Sequence, residues 1–277
     1  MSLLYAVGDV HGRADLLENL LGAVERDAEA AEAEPVIIFL GDIIDRGPDS
    51  RRAMDLVQSA ISDHPGSSLI LGNHDALFRS FINGTYTDNL ITYWLTQLGG
   101  LATIDSYLPD RPRKLDDIQD ALVEQFGHHQ ELLNGSVDKI VTDHFCFVHA
   151  GIRPGVPLDE QDPYDLRWIR DDFLSHDLPL ERFVVHGHTP TESSFPDVLG
   201  NRVCLDTGAY YSGRLTAARF QVDRLDAFIY SQDSGISVDR KVLTWPKTSV
   251  GPVRPLAKAE SFTTDDRGAA RQPDAKA

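Results

Sequence analysis

Five stretches set carboxylate, imidazole or amide side chains beside glycine: Gly8-Asp9-Val10-His11-Gly12, Gly41-Asp42-Ile43-Ile44-Asp45-Arg46-Gly47, Gly72-Asn73-His74-Asp75, His149-Ala150-Gly151 and His186-Gly187-His188. Their donors are oxygens and imidazole nitrogens, with no thiolate among them. Such a set suits manganese, iron, cobalt or zinc in a catalytic setting rather than a cysteine-rich structural zinc site. Six such ligands are too many for one four-coordinate ion and fit two ions that share a carboxylate. Two ions about 3.5–4 Å apart can clamp an in-line displacement at phosphorus and bring the pKa of a shared water toward neutrality. A solitary Asp after a strand is ordinarily a turn or cap residue, and a solitary His a satisfied one. The reading rests on the recurrence.

Each cluster follows an apolar run with strand character. Leu3 to Val7 leads into the first, Val36 to Leu40 into the second and Ser68 to Leu71 into the third. Phe145 to Val148 precedes His149, and Arg182 to Val185 precedes His186. A further run, Arg202 to Leu205, ends in Asp206-Thr207-Gly208, and Leu215 to Tyr230 reads as a closing hairpin around Asp223-Arg224. Between the first strands, Leu16, Leu17, Leu20, Leu21 and Val24 are spaced for one buried helical face, and a second helix is expected from Ser50 to Ala60. The pattern is α/β, and ligands of such folds sit beyond the carboxyl ends of the strands, so the clusters should converge. We expect a single domain over residues 1–245, a helical insertion over 76–143, and a flexible tail over 246–277, rich in Pro, Lys, Asp and Ala.

The chain has 277 residues, 42% hydrophobic and 25% charged, ordinary values for a globular protein. A formal net charge of −17 disfavours non-specific binding to nucleic acid or anionic membrane. Any phosphate site must therefore create its own positive field. No apolar run reaches membrane-spanning length and no signal sequence is apparent at the start, so a cytoplasmic setting is expected. Cys146 and Cys204 lie in apolar runs and read as buried free thiols.

The three N-terminal motifs, with Asp45-Arg46-Gly47, Trp94 to Gly100, His149-Ala150-Gly151, Gly187-His188-Thr189-Pro190 and Asp206-Thr207-Gly208, resemble the signature of the calcineurin-like metallophosphoesterases. Within that family they are similar to bacterial and phage members of the phosphoprotein phosphatase branch, over roughly residues 1–222. The resemblance implies a four-layer αββα sandwich with the helical insertion capping one rim. It also implies that Asp9 and His11 hold one metal, that Asp42 bridges, and that Asn73, His149 and His188 hold the other. By the same resemblance His74 is the general acid, Asp45 orients its ring, and Arg46 grips phosphate oxygens. Arg170, from Trp168-Ile169-Arg170, is the second phosphate arginine, with Arg167 its rival. The cofactors are two divalent ions, manganese first and iron, zinc or cobalt as alternatives. The nucleophile is a hydroxide shared by both ions.

Departures from the pattern are Asp75, where many relatives have Glu, and the additional His186, read as supporting or structural rather than a ligand. His128-His129 reads as surface, and Tyr210-Tyr211 as lining the mouth of the site or packing between loop and sheet. Two substrate classes follow. Phosphoserine or phosphothreonine in proteins stands first, with small phosphate esters also accepted. Dinucleoside polyphosphates or capped RNA ends stand second, with Trp94, Tyr86 and Tyr93 as candidate base contacts. A non-catalytic binding module falls behind both, because none of the six ligand positions is degenerate. Oligomeric state is open.

Overall fold

In the computed structural model, the described residues are 2–240 and the backbone of 243–244; the expected tail over 246–277 lies outside them. The order begins β1 (Ser2–Val7), α1 (Ala14–Ala30), β2 (Glu34–Phe39), α2 (Ser50–Asp63), β3 (Ser68–Leu69). Four helices follow: α3 (Asn73–Ile82), α4 (Asp88–Gln97), α5 (Gly100–Tyr107) and α6 (Leu115–Asn134). Then come β4 (Lys139–Val141), β5 (Phe145–Val148), α7 (Pro163–Trp168), α8 (Asp171–Leu174), β6 (Phe183–His186), β7 (Asp197–Val198) and β8 (Arg202–Cys204). The chain closes with α9 (Ala209–Ser212), β9 (Arg214–Gln221), β10 (Arg224–Gln232), β11 (Gly235–Asp239) and β12 (Leu243–Thr244).

Two sheets form. One has the order β11-β10-β9-β1-β2-β3, with β12 beside β10; the other has the order β4-β5-β6-β8-β7. Strand alternation decides what lies between and outside them. In β1 and β2, Ala6 and Ile38 face the second sheet, where they join Phe145, Phe147, Val185, Val203 and Phe220 in an apolar core. Tyr5, Val7, Ile37 and Phe39 point the other way and pack with Leu16, Leu17, Leu20 and Val24 of α1 and Met54 and Val57 of α2. Cys146, Val148 and Val184 on the outer face of the second sheet pack against Leu166, Ile169 and Phe173 around α7 and α8. Helices thus cover both outer faces of the paired sheets, the four-layer arrangement that the motifs imply.

Parallel pairing of β1 with β2 and β2 with β3, and of β5, β6 and β8, sends the ends of these strands to common edges. Gly8 and Leu205 meet across the sheets so closely that a Cβ on Gly8 would lie 2.2 Å from the Leu205 carbonyl oxygen. The helices α3–α6 bury Phe78, Phe81, Ile91, Trp94, Ile104 and Tyr107 in the same cluster as α1 and α2.

Several boundaries differ from the expected ones. The third strand is two residues long, because Ile70 pairs instead with Val137 as an isolated bridge. The segment read as helical over 76–143 ends in strand β4, antiparallel to β5. Residue Phe126 breaks the regular geometry of α6 (φ −131°, ψ 31°). Cys146 and Cys204 are buried and free. Among the described residues no helix is long and apolar enough to cross a membrane.

Candidate metal centre

The turn after β1 carries Asp9 and His11, both buried. The backbone N–H groups of Val10 and His11 donate to the Asp42 carbonyl at 3.0 and 2.9 Å, fastening the first cluster to the second. His11 Nδ1–H donates to the Ile44 carbonyl at 2.8 Å, which fixes the tautomer and leaves the Nε2 lone pair 3.7 Å from Asp42 Oδ2. His149 repeats the device. Its Nδ1–H donates to the Leu40 carbonyl at 2.8 Å, and its Nε2 lies 2.9 Å from Asn73 Oδ1 and 3.4 Å from Asp42 Oδ2. His188 Nδ1 is 2.9 Å from the same Asn73 oxygen.

Asp9 enters from the far side. Its carboxylate accepts the His188 backbone N–H at 3.2 and 3.1 Å. A Cβ at residue 187 would lie 2.0 Å from Asp9 Oδ1, so Gly187 is what permits this approach. The strand-end loops are held in unusual geometry: His11, Asp42, Asp45, Arg46 and His188 all have positive φ, between 46° and 72°. For residues with a Cβ such values cost of order 1–3 kcal/mol each and mark functional sites.

The donor set fits cations. Burial, then repulsion from Asp206 and Asp42, holds the Asp9 carboxyl well above the usual carboxylate range. Burial likewise moves Asp206 up to about 6; the Gly208 N–H opposes the shift and the Asp42 charge adds to it. Burial pulls the His149 imidazole down, but Asp42 and the Leu40 carbonyl carry it to a net rise. Burying an ionised carboxylate costs several kcal/mol unless it is compensated, and these acids lie together with only rim arginines near them. Nitrogen lone pairs and carboxylate oxygens facing one another make a cradle for positive charge. His11, Asp42 and His74 offer ligand atoms within 4.8 Å of one another, and so do Asp42, His149 and His188; Asp42 is common to both. Two donor groups with a common carboxylate could hold two cations.

His74 has other partners. Its Nδ1–H donates to Asp45 Oδ2 at 2.6 Å, and its Nε2 accepts from Arg46 Nη2 at 3.2 Å. Asp45 is fully buried and also accepts from Trp94 Nε1 at 2.7 Å and Thr103 Oγ1 at 2.6 Å. Arg170 donates from Nε to His188 Nε2 at 3.3 Å, whereas Arg167 is paired with Asp138 at 2.7 Å. Of the two rivals, only Arg170 touches a residue of the cluster. Asp75 accepts from the Ile43 and Gly72 N–H groups, tying the Asp42 loop to the start of α3; burial lifts it to about 7.

Sequence reasoning passed over Trp94 and Thr103 as holders of Asp45, since an insertion read for its helical spacing does not reveal a polar contact inward. It also left Asp206 off the site, although the strand-end position of Asp206-Thr207-Gly208 was a signal of the same kind as the others. His186 stands apart. Its ring packs on Phe173 at 5.1 Å, its Nδ1 is 3.0 Å from the Gly187 carbonyl, and burial lowers it to about 3. His128 is exposed as expected; His129 is not, being only 1% accessible.

The profile of the calcineurin-like phosphoesterase family matches residues 3–230. Among similar proteins, a bis(5'-nucleosyl)-tetraphosphatase PrpE [asymmetrical] of Anoxybacillus flavithermus is 30% identical over 237 residues, covering 77% of this chain and 89% of that one. Its namesake from Oceanobacillus iheyensis is 26% identical over 233 residues, covering 77% and 87%. A solved cold-active protein-tyrosine phosphatase of a psychrophilic Shewanella species shares the fold, with a TM-score of 0.53 at 20% identity over 85% of this chain and 80% of that one. The match takes in both sheets except the edge strands β11 and β12 and the end of β10: the chain belongs to the calcineurin-like phosphoesterase family.

Proposed function

We propose that this phosphoester hydrolase cleaves a phosphoanhydride bond of dinucleoside polyphosphates. Asp9, His11, Asp42, Asn73, His149 and His188 hold two divalent cations in this reading, and His74 is the general acid. Manganese is the ion we assign first, with iron, zinc and cobalt accommodated by the same donors. The carrying observation is that aromatic rings flank the cluster on both its His11 and its His188 side. Arg46 lies over the Tyr210 ring at 4.9 Å, and Tyr210 contacts Tyr211 edge-on at 5.0 Å. Near Arg170, the Trp168 ring is 6.2 Å from His188 and stacks on Tyr164. Tyr210, Tyr211 and Tyr164 are 38%, 55% and 43% exposed. A dinucleotide offers a base on each side of a polyphosphate, and base–aromatic stacking is worth about 1–3 kcal/mol per base. A phosphoserine side chain offers no ring to either. The names of the relatives support the same substrate class. The order of substrates therefore reverses the one drawn from the motifs, where phosphoproteins came first and the aromatic candidates were Trp94, Tyr86 and Tyr93; Trp94 is fully buried.

Bound there, two divalent cations supply Lewis-acid charge and lower the pKa of a water toward neutrality. The protein does the rest by position. Asp42 Oδ1 accepts from the His74 backbone N–H at 3.0 Å, leaving Oδ2 toward the imidazoles. Asp45 fixes the Nδ1–H tautomer of His74 and stabilises the ring when it is charged, so that a proton on Nε2 can pass to the leaving oxygen. Arg46 Nη2 lies 3.2 Å from that Nε2. An anionic phosphate competes for the guanidinium and frees the nitrogen for its proton. Arg46 and Arg170 then oppose the charge that grows on the equatorial oxygens. A cytoplasmic setting accords with two buried free thiols.

The test compares kcat/KM for diadenosine tetraphosphate with that for phosphoserine and phosphothreonine peptides on manganese-loaded enzyme. We expect the dinucleotide to be preferred at least about tenfold, the equivalent of about 1.4 kcal/mol and so of one stacking contact. Preference for either peptide would overturn the assignment.

A further inference from the structure

We propose that Asp55, His128 and His129 form a third metal site, outside the phosphoesterase centre, that takes a borderline divalent cation of the zinc class. Asp55 lies on α2 and the two histidines on α6. Consecutive residues on a regular helix point about 100° apart and do not share a target. Here the two side chains nonetheless lean together, and their ring centroids are 4.3 Å apart. One ligand atom from each of the three residues lies within 4.8 Å of the others.

His129 supplies the decisive observation. It is buried, its Nδ1 is engaged with the Tyr107 hydroxyl at 2.8 Å, and its Nε2 has no hydrogen-bond partner. That nitrogen is 3.1 Å from Asp55 Oδ1 without the alignment of a hydrogen bond. With the ring proton on Nδ1, toward Tyr107, Nε2 turns a lone pair to that carboxylate oxygen, an arrangement that a cation shared by the two would relieve. The other Asp55 oxygen is held by Arg51 at 3.0 Å, which leaves Oδ1 toward the rings. Tyr107 orients the ring in the way that hydrogen bonds to the remote nitrogen commonly do at metal sites. Two imidazoles and a carboxylate suit zinc, cobalt, nickel or copper rather than calcium or magnesium. Asp55 also lines a cleft of about 350 Å³ with Gln58, Ser59, Ser62 and Asp63. An ion there ties the displaced half of α6 to α2.

The experiment is equilibrium dialysis of the metal-stripped full chain against micromolar Zn²⁺, with bound zinc counted by elemental analysis. Wild type is compared with His128→Ala and Asp55→Asn. We expect each variant to bind one equivalent fewer than wild type, while manganese-dependent phosphohydrolase turnover stays within about twofold of the parent, since none of the three residues belongs to that centre. Equal zinc stoichiometry in all three proteins would overturn the site. The difference between proteins is read, not the total, so failure of the dinuclear centre would not mimic failure here.

Discussion

Asp45 shows how a side chain that touches no phosphate can govern the reaction. It is fully buried, and its two oxygens accept from His74, Trp94 and Thr103. Replacement by asparagine keeps the volume but places a donor or a neutral oxygen opposite His74 Nδ1, so the ring loses its fixed tautomer and its charge partner. We expect Asp45→Asn to lower kcat about 10²–10⁴-fold with a smaller change in KM. Combined with His74→Gln the losses should be strongly non-additive, because one unit is removed twice. Additive losses in steady-state kinetics would separate the two residues. Gly187 acts by what it lacks. Gly187→Ala sets a methyl 2.0 Å from Asp9 Oδ1, and the carboxylate must leave its His188 N–H. We expect manganese content and kcat to fall together, and elemental analysis beside kinetics checks it; unchanged metal content would show that Asp9 tolerates displacement.

At the scale of elements, the helices α4 and α5 reach into the site from a segment whose spacing advertises only packing. Trp94 of α4 is buried against Phe78 and Phe81 and still donates its indole N–H to Asp45. Trp94→Phe retains most of the apolar contact and leaves a buried carboxylate oxygen short of a donor, a loss of about 1–3 kcal/mol. Denaturant unfolding should show that loss of stability, and kcat should fall with it. Full stability and full turnover would mean that Thr103 and His74 satisfy Asp45 alone. This dual role explains what the sequence could and could not disclose. Strand ends were legible because apolar runs stop at glycine-flanked polar clusters, and β1, β2, β5, β6 and β8 lie where those runs predict. Partners within the insertion were not, since an indole on a helix looks the same whether its N–H meets a carboxylate or not. Likewise the break at Phe126 carries no Pro to announce it, and the burial of His129 depends on it.

At the scale of the whole molecule, the two sheets matter because neither holds a complete site. The first sheet delivers Asp9, His11, Asp42 and Asn73, and the second delivers His149 and His188. The apolar core between them, from Ala6 and Ile38 to Phe145 and Phe220, sets their separation. Close packing of this kind does not deform continuously, so the gap between the donor groups is fixed before any ligand arrives. A chain with net charge −17 thereby keeps its acids on the surface and gathers buried ones where cations can answer them. The most direct measurement is the anomalous difference density of a crystal of manganese-loaded protein. Two peaks should lie about 3.5–4 Å apart on either side of Asp42, one beside Asp9 and His11 and the other beside Asn73, His149 and His188. A single peak, or peaks away from Asp42, would contradict the shared-carboxylate centre from which the chemistry is derived.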